Sequence, residues 1–186
     1  MKLIFMRIFS VLFILTGSIF LGNSFIHAQQ EDDIPDLADG EEAEERVRYP
    51  VSNIILQQRY PDTIVLSAAP TENQVALTFD DGPDPRFTPQ ILDLLAEHDI
   101  QATFFVTGAR AEAFPDLLQR IVDEGHIIGN HTYSHPNLVE ANDIAVLEEE
   151  VRRTEEIIND IIGYRTSLFR APYGFLYDEL VEKLDE

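Results

Sequence analysis

The chain has 186 residues, of which 45% are hydrophobic, so it can form one full-sized core with little left for a second domain. Its formal net charge of −21 opposes binding to nucleic acid or to anionic lipid surfaces. Because the sequence contains no cysteine, disulfides and thiolate metal sites are excluded, and a metal would need His, Asp or Glu ligands.

Residues 1–28 have the composition of a secretory signal peptide. Lys2 and Arg7 precede an apolar stretch from Ile8 to Leu21, and Ala28 supplies a small residue before a polar segment. An uncleaved anchor helix is the alternative, but the apolar stretch is short for a span and no basic stop-transfer cluster follows. We therefore predict cleavage after Ala28, no stable membrane span afterwards, and a secreted or cell-wall location.

The next segment, residues 29–59, is predicted to be an acidic, disordered spacer. From Gln29 to Arg48 it reads QQEDDIPDLADGEEAEERVR, with nine acidic residues and no base between Glu31 and Glu45. Such a composition buries too little apolar surface to offset the entropy of ordering the chain. A specific acidic docking motif is the alternative. The folded domain is then predicted to occupy residues 60–186.

Within that domain, short β-type runs alternate with helical patterns. Strands are predicted at TIVLSA (63–68), VALTF (75–79), ATFFVTG (102–108), IIGNH (127–131) and LFRAPYG (168–174). Helices are predicted at TPQILDLLAEHD (88–99), FPDLLQRIVDEG (114–125), about 142–162, and YDELVEKLDE (177–186). Regular alternation of this kind predicts an α/β fold with a parallel sheet, open or closed into a barrel.

Two of these helices carry specific local signals. Thr88 is the predicted N-cap of the first one, with Pro89 at its first helical position. The long helix at about 142–162 places five aliphatic residues on one stripe, which favours packing on a sheet over a coiled coil. These residues are Ile144, Leu147, Val151, Ile158 and Ile161.

Three unusual stretches follow predicted strands: TFDDGP, GNHTYSH and FRAPYG. In parallel α/β folds, reactive groups collect at the C-terminal ends of strands, so one shared site could hold all three. Asp-Asp-Gly-Pro by itself is mostly a turn signal. Because neighbouring strand residues point in opposite directions, Asp80 and Asp81 are poorly placed to act as a glycosidase acid/base pair. We expect the two carboxylates to have different roles, with one facing a metal and the other facing a water molecule.

His131 and His135 can supply further metal ligands. Their His-x-x-x-His spacing brings two imidazoles to one ion if the segment forms a helical turn, although such pairs are often surface residues. With a strand-end aspartate they complete a three-ligand set with an open position, as catalytic zinc requires. The other histidines of the domain, His98 and His126, lie at helix ends, where capping or surface roles are the default.

Arg170, in FRAPYG, is expected at the same end of the sheet. A fixed guanidinium beside a carboxylate keeps that carboxylate ionised and oriented, as a general base requires, although an ordinary ion pair is the alternative. Pro172 and Gly174 fix a turn that could aim the Tyr173 backbone N–H at a developing oxyanion.

In this order and at these separations, TFDDGP, HTYSH and RAPYG resemble the first three motifs of the polysaccharide deacetylases, the NodB-like carbohydrate esterases. The resemblance runs from about Ile64 to the end of the chain. It implies a distorted, TIM-like (β/α) barrel with fewer than eight units, incomplete in this chain. It also implies removal of acetyl groups from N-acetylglucosamine polymers such as peptidoglycan or chitin, or from O-acetylated xylan, with a divalent metal that is most often zinc.

The resemblance further implies a role for each motif residue. Asp81, His131 and His135 correspond to the metal ligands, and Asp80 corresponds to the general base. Arg170 corresponds to the residue that orients this base, while Tyr173 contributes its backbone N–H to the oxyanion site.

The sequence departs from the family pattern after the third motif. An Asp/Trp motif and a Leu-x-His motif, whose histidine is taken as the general acid, are both missing, since there is no Trp and no histidine after His135. We therefore expect an incomplete sequence with little activity of its own. An O-acetyl xylan esterase or a non-catalytic glycan-binding protein are the alternatives, and the retained site residues argue against the latter.

Overall fold

Six short strands form one parallel sheet in the computed structural model of the protein, which describes residues 2–4, 51–67, 75–138 and 143–185. The strands are β1 (Lys2–Ile4), β2 (Ile64–Val65), β3 (Thr78–Gly82), β4 (Thr103–Val106), β5 (Ile127–Asn130) and β6 (Leu168–Phe169). Their order across the sheet is β2-β1-β6-β5-β4-β3. Strands β3 to β6 are therefore sequential neighbours joined by crossover connections, the arrangement of a parallel α/β unit.

Helices lie in the connections between these strands and after the last of them. They are α1 (Asn53–Arg59), α2 (Thr88–Glu97), α3 (Gly108–Ala113), α4 (Pro115–Asp123), α5 (Ile144–Ile162) and α6 (Asp178–Asp185), with a 3₁₀ turn at Pro172–Gly174. Within the described ranges, none of these helices combines the length and apolar character needed to cross a bilayer. The alternation confirms the predicted α/β class.

The core consists of two clusters that share helix α5. One cluster lies around β6, α1 and α6, and Leu147 and Val151 of α5 belong to it. The other joins β4 and β5 to α2 and α4, and Ile158 of α5 belongs to it. Full burial of each such side chain contributes about 1.5–3 kcal/mol. The predicted stripe is confirmed, since these three residues are buried while Ile144 and Ile161 are half-buried.

Several local predictions were wrong in detail. Thr88 is the first residue of α2, and Phe87 is at the N-cap position. The Thr88 hydroxyl accepts a hydrogen bond from the Asp84 N–H (2.8 Å), which lies before the helix. His126 is buried, with 6% of its surface exposed, so it is not a surface residue. His98, in contrast, is exposed at the end of α2, as expected.

The predicted domain boundaries also need adjustment. Helix α1 lies within the segment predicted as a spacer, yet Leu56 is fully buried and the Val51 N–H donates to the Leu176 carbonyl (3.1 Å). The folded part therefore includes residues 51–59, and the acidic stretch 29–50 lies outside the described residues. Strand β1 belongs to the segment predicted as a signal peptide. Residues 5–28 of that segment lie outside the described ranges, and its cleavage stays a prediction.

Candidate active site and metal centre

The paired aspartates lie at the C-terminal end of β3, where the strand is irregular. Asp81 has a φ of 65°, and the register of β3 against β4 shifts between Asp80 and Gly82. A bulge of this kind breaks the strict alternation of strand side chains. The two carboxylates consequently have separate partners: Asp80 contacts Arg170, and Asp81 lies beside His131 and His135.

Asp81, His131 and His135 form a compact group of metal-ligating atoms. The Oδ1 atom of Asp81 is 3.5 Å from His131 Nε2 and 3.4 Å from His135 Nε2. All three ligand atoms lie within 4.8 Å of one another. Two donors bound at about 2.1 Å to a tetrahedral ion are about 3.4 Å apart. The separations of Asp81 from both histidines therefore fit a tetrahedral metal site.

The protonation state of His131 suits a metal ligand. Its Nδ1 lies 2.7 Å from the Arg170 carbonyl oxygen. Because a carbonyl only accepts hydrogen bonds, Nδ1 carries the hydrogen and donates, which leaves the Nε2 lone pair toward Asp81. The residue is 3% exposed, and this burial lowers the pKa of His131. Burial thus favours the neutral imidazole, the form that binds metal.

The loop that carries both histidines is not the helical turn anticipated from their spacing. Residues 131–135 are irregular, and Thr132 and His135 have φ values of 65° and 59°. The Thr132 hydroxyl accepts a hydrogen bond from the His135 N–H (3.2 Å) and donates to the His131 carbonyl (2.5 Å). In this loop conformation, the centroids of the two imidazole rings are 5.0 Å apart. The pair is brought together by a tight loop and not by helical periodicity.

Arg170 follows β6 and connects Asp80 to the interior. Its Nη1 donates to Asp80 Oδ1 and to Thr78 Oγ1 (3.1 Å). The guanidinium carbon lies 3.9 Å from the centroid of the Phe105 ring, a cation–π geometry, and the arginine side chain is only 11% exposed. Asp80 is therefore held by a guanidinium that is itself held by the Thr78 hydroxyl and the Phe105 ring.

Tyr173 lies at the edge of this site. It is part of the 3₁₀ turn, has a φ of 58°, and is 63% exposed as a residue. Its ring makes an edge contact with His135, with centroids 4.8 Å apart. The structure thus brings together all six residues singled out in the sequence.

Sequence reasoning missed the residues that support these side chains. Asn130, fully buried, donates to Glu155 Oε1 (2.9 Å) and to the Val151 carbonyl (3.0 Å), and its Oδ1 accepts from the Thr132 N–H (2.9 Å). A usable signal was present, because Glu155 falls within the apolar stripe of α5, four residues after Val151 and three before Ile158. A carboxylate at such a position requires buried hydrogen-bond donors.

Comparison with known protein families identifies the family to which this chain belongs. The profile of the polysaccharide deacetylases matches residues 67–186. The chain belongs to this family. All three motifs and all six site residues lie within the matched segment.

Individual relatives agree with this assignment. A peptidoglycan-N-acetylglucosamine deacetylase of Bacillus cereus is 54% identical over 101 residues, which is 54% of this chain and 36% of that protein. A chitooligosaccharide deacetylase of Rhizobium leguminosarum bv. trifolii is 48% identical over 91 residues, 49% of this chain and 42% of that protein. The chain thus spans less than half the length of these two relatives.

A solved structure confirms the fold class. The peptidoglycan deacetylase PdaC from Bacillus subtilis superimposes with a TM-score of 0.59 at 43% identity, covering 63% of this chain and 57% of that one. As predicted, the parallel sheet and helices of the described residues form a partial (β/α) barrel, with six strands in place of eight.

Proposed function

We propose that this polysaccharide deacetylase is a secreted, metal-dependent hydrolase that removes acetyl groups from N-acetylglucosamine-containing glycans, either peptidoglycan or chitin-like. The observation that carries the proposal is the Asp80–Arg170 pair beside the Asp81, His131 and His135 cluster. A binding protein has no use for an oriented base next to a metal site. The relatives named for peptidoglycan and chitooligosaccharide deacetylation support the same substrate class.

Zinc is the metal we propose for this site. Two imidazole nitrogens and one carboxylate oxygen are ligands that Zn²⁺ accepts, and three protein ligands are the number found in catalytic zinc sites. Asp81, His131 and His135 would hold the ion. When bound, it supplies a Lewis acid that polarises a carbonyl group and lowers the pKa of a water.

Asp80 is the proposed general base. Arg170 holds its Oδ1 atom, and the second carboxylate oxygen is the atom proposed to take the proton from the attacking water. The water oxygen then bonds to the acetamide carbonyl carbon, the C–N bond breaks, and the proton taken by Asp80 passes to the leaving nitrogen, so that acetate and an amine are released. The Tyr173 N–H is the proposed donor to the oxyanion, which is supported by the position of Tyr173 beside His135 at the edge of the site.

Replacing Asp80 with asparagine tests this assignment. The Asp80→Asn variant keeps the size of the side chain but cannot take a proton, so we expect acetate release to fall by about 10²–10⁴-fold. Zinc affinity should not change, because Asp80 is not one of the three clustered ligands. Acetate release is measured with an N-acetylglucosamine oligomer and with an aryl acetate.

Asp160→Asn is the matched control, since this carboxylate is exposed on α5. Full activity in Asp80→Asn would remove Asp80 from the role of base. Wild-type release from the ester alone would favour the alternative, an O-acetyl xylan esterase. The wild-type rate is expected to be low, because no histidine follows His135 to act as the general acid. A wild-type chain that binds zinc but releases no acetate from either compound would show that the proposed hydrolase function of this chain is wrong.

A further inference from the structure

The loop between the two histidines adopts a conformation that requires external support. Thr132 and His135 both lie in the left-handed region, with φ values of 65° and 59°. Residues other than glycine enter this region at a cost, and they stay there only when their surroundings hold them. The Thr132 hydroxyl links the two ends of the loop, since its hydrogen bonds are to the His131 carbonyl and the His135 N–H.

The middle of the loop is held by Glu150, which lies on helix α5. Glu150 Oε2 accepts hydrogen bonds from the Tyr133 N–H (2.8 Å) and the Ser134 N–H (2.7 Å). Its Oε1 accepts a third from the Ser134 hydroxyl (2.8 Å). Hydrogen bonds to a carboxylate are stronger than those between neutral groups. One side chain therefore accepts from two of the three backbone N–H groups between the two histidines, and Asn130 accepts from the third, that of Thr132.

Helix α5 is a rigid base for this contact. Leu147 and Val151, which flank Glu150 on the helix, are buried in the core. Glu155, five residues after Glu150 on the same helix, accepts a hydrogen bond from Asn130, the residue immediately before His131. The helix thus contacts the loop near its start and at its middle, so a displacement of the loop would break hydrogen bonds at both places.

We propose that Glu150 is a positioning residue for the metal centre. By holding Tyr133 and Ser134, it keeps His135 Nε2 beside Asp81 Oδ1, at the observed 3.4 Å. Glu150 itself is not one of the three clustered ligands, so it acts through the loop. This inference rests on the metal site of the proposed function and adds a residue that none of the three motifs contains.

Two substitutions at Glu150 separate positioning from a general loss of structure. Glu150→Ala removes all three hydrogen bonds. Glu150→Gln retains an oxygen that can accept from both backbone N–H groups, and its amide can donate to the Ser134 hydroxyl. Glu149→Ala is the matched control, because Glu149 is adjacent, exposed and paired with Arg152 on the helix surface.

The experiment measures zinc binding by the full chain, with zinc alone as the probe, in competition with a chromophoric chelator. We expect Glu150→Ala to weaken zinc affinity by about 10–100-fold, the range typical of residues that orient metal ligands. Glu150→Gln should recover most of that loss, and Glu149→Ala should match the wild type. The visible absorption of bound Co²⁺ should change in Glu150→Ala, because it reports ligand geometry. Circular dichroism shows that each variant is folded at the temperature used.

Ser134→Ala provides a second test if Glu150→Ala does not fold. It removes one of the three hydrogen bonds from an exposed residue, and we expect a loss of about fivefold in zinc affinity. Wild-type affinity and an unchanged cobalt spectrum in folded Glu150→Ala, or in Ser134→Ala if the former does not fold, would overturn the inference alone. A wild-type chain that binds no zinc would overturn the metal site itself, and the inference with it.

Discussion

At the residue scale, His126 shows how a histidine outside the active site can contribute to stability. Its Nδ1 accepts a hydrogen bond from the Ala102 N–H (3.3 Å), and its ring lies 5.5 Å from that of Phe104. Nδ1 can accept only while it is unprotonated. Burial lowers the pKa of His126, which favours this neutral form. The neutral imidazole is therefore part of the folded structure.

This environment predicts a pH dependence of stability. As the pH falls through about 6.5, His126 takes up a proton in the unfolded chain before it does so in the folded one. The free energy of unfolding therefore decreases below this pH. In His126→Asn, the amide oxygen can still accept from Ala102 but does not titrate. We expect the drop in Tm between pH 7.5 and 5.5 to be smaller in this variant than in the wild type.

Thermal melts with a chelator present measure this effect without a contribution from bound metal. His98→Asn is the control, because His98 is exposed at the end of α2 and its replacement should retain the wild-type slope. Identical pH slopes in His126→Asn and the wild type would show that His126 does not contribute to the acid sensitivity.

At the scale of elements, the contact between β4 and β5 depends on a glycine. A Cβ atom on Gly129 would lie 2.5 Å from two carbons of the Phe105 ring, far inside normal contact distance. The same ring carries the Arg170 guanidinium on its face. Gly129 thus leaves room for the aromatic ring on which the Asp80 partner rests.

Gly129→Ala should consequently displace the Phe105 ring. We expect a loss of about 1–3 kcal/mol in the free energy of unfolding, the usual cost of overpacking a core. Urea unfolding followed by circular dichroism measures this change. Adding Phe105→Leu, which reduces the ring to a smaller side chain, should make the double variant more stable than the sum of the single effects indicates. Strict additivity would rule out this contact as the cause.

At the scale of the whole molecule, the site exists only when distant elements come together. Asp81 lies at the C-terminal end of β3, while His131 and His135 follow β5. An ion bound by all three ligands binds the folded chain and not the unfolded one, and it therefore stabilises the fold. The stabilisation reaches about 2.7 kcal/mol when free metal is 100 times its dissociation constant.

We therefore expect zinc to raise the Tm of the full chain and a chelator to reverse the rise. Asp81→Asn should lose most of this shift, because it replaces the ligand that lies beside both histidines. Asp160→Asn should keep it. Differential scanning calorimetry at several zinc concentrations measures the shift, and an equal rise in Tm for Asp81→Asn and the wild type would place the zinc at another site.

Much of the fold and the membership of the site follow from the sequence alone. The stripe of α5 and the alternation of strands with helices are local patterns, and each records which face of an element is buried. Asp80 and Asp81 lie at the end of β3, and His131, His135 and Arg170 follow β5 or β6. Parallel topology brings such strand ends to one edge of the sheet. The stripe and the alternation are visible in the sequence because each depends on residues within a few positions of one another.

Other features required the tertiary structure. The left-handed conformations at Thr132 and His135, the burial of His126 and the contact of Glu150 with Tyr133 are not visible in any local pattern. Each depends on how α5 or β4 packs against a segment that is distant in the sequence. From the sequence alone, a carboxylate on a helix is predicted to be solvent-exposed. Only the packed structure shows that a neighbouring loop provides its hydrogen-bond donors, and which loop that is.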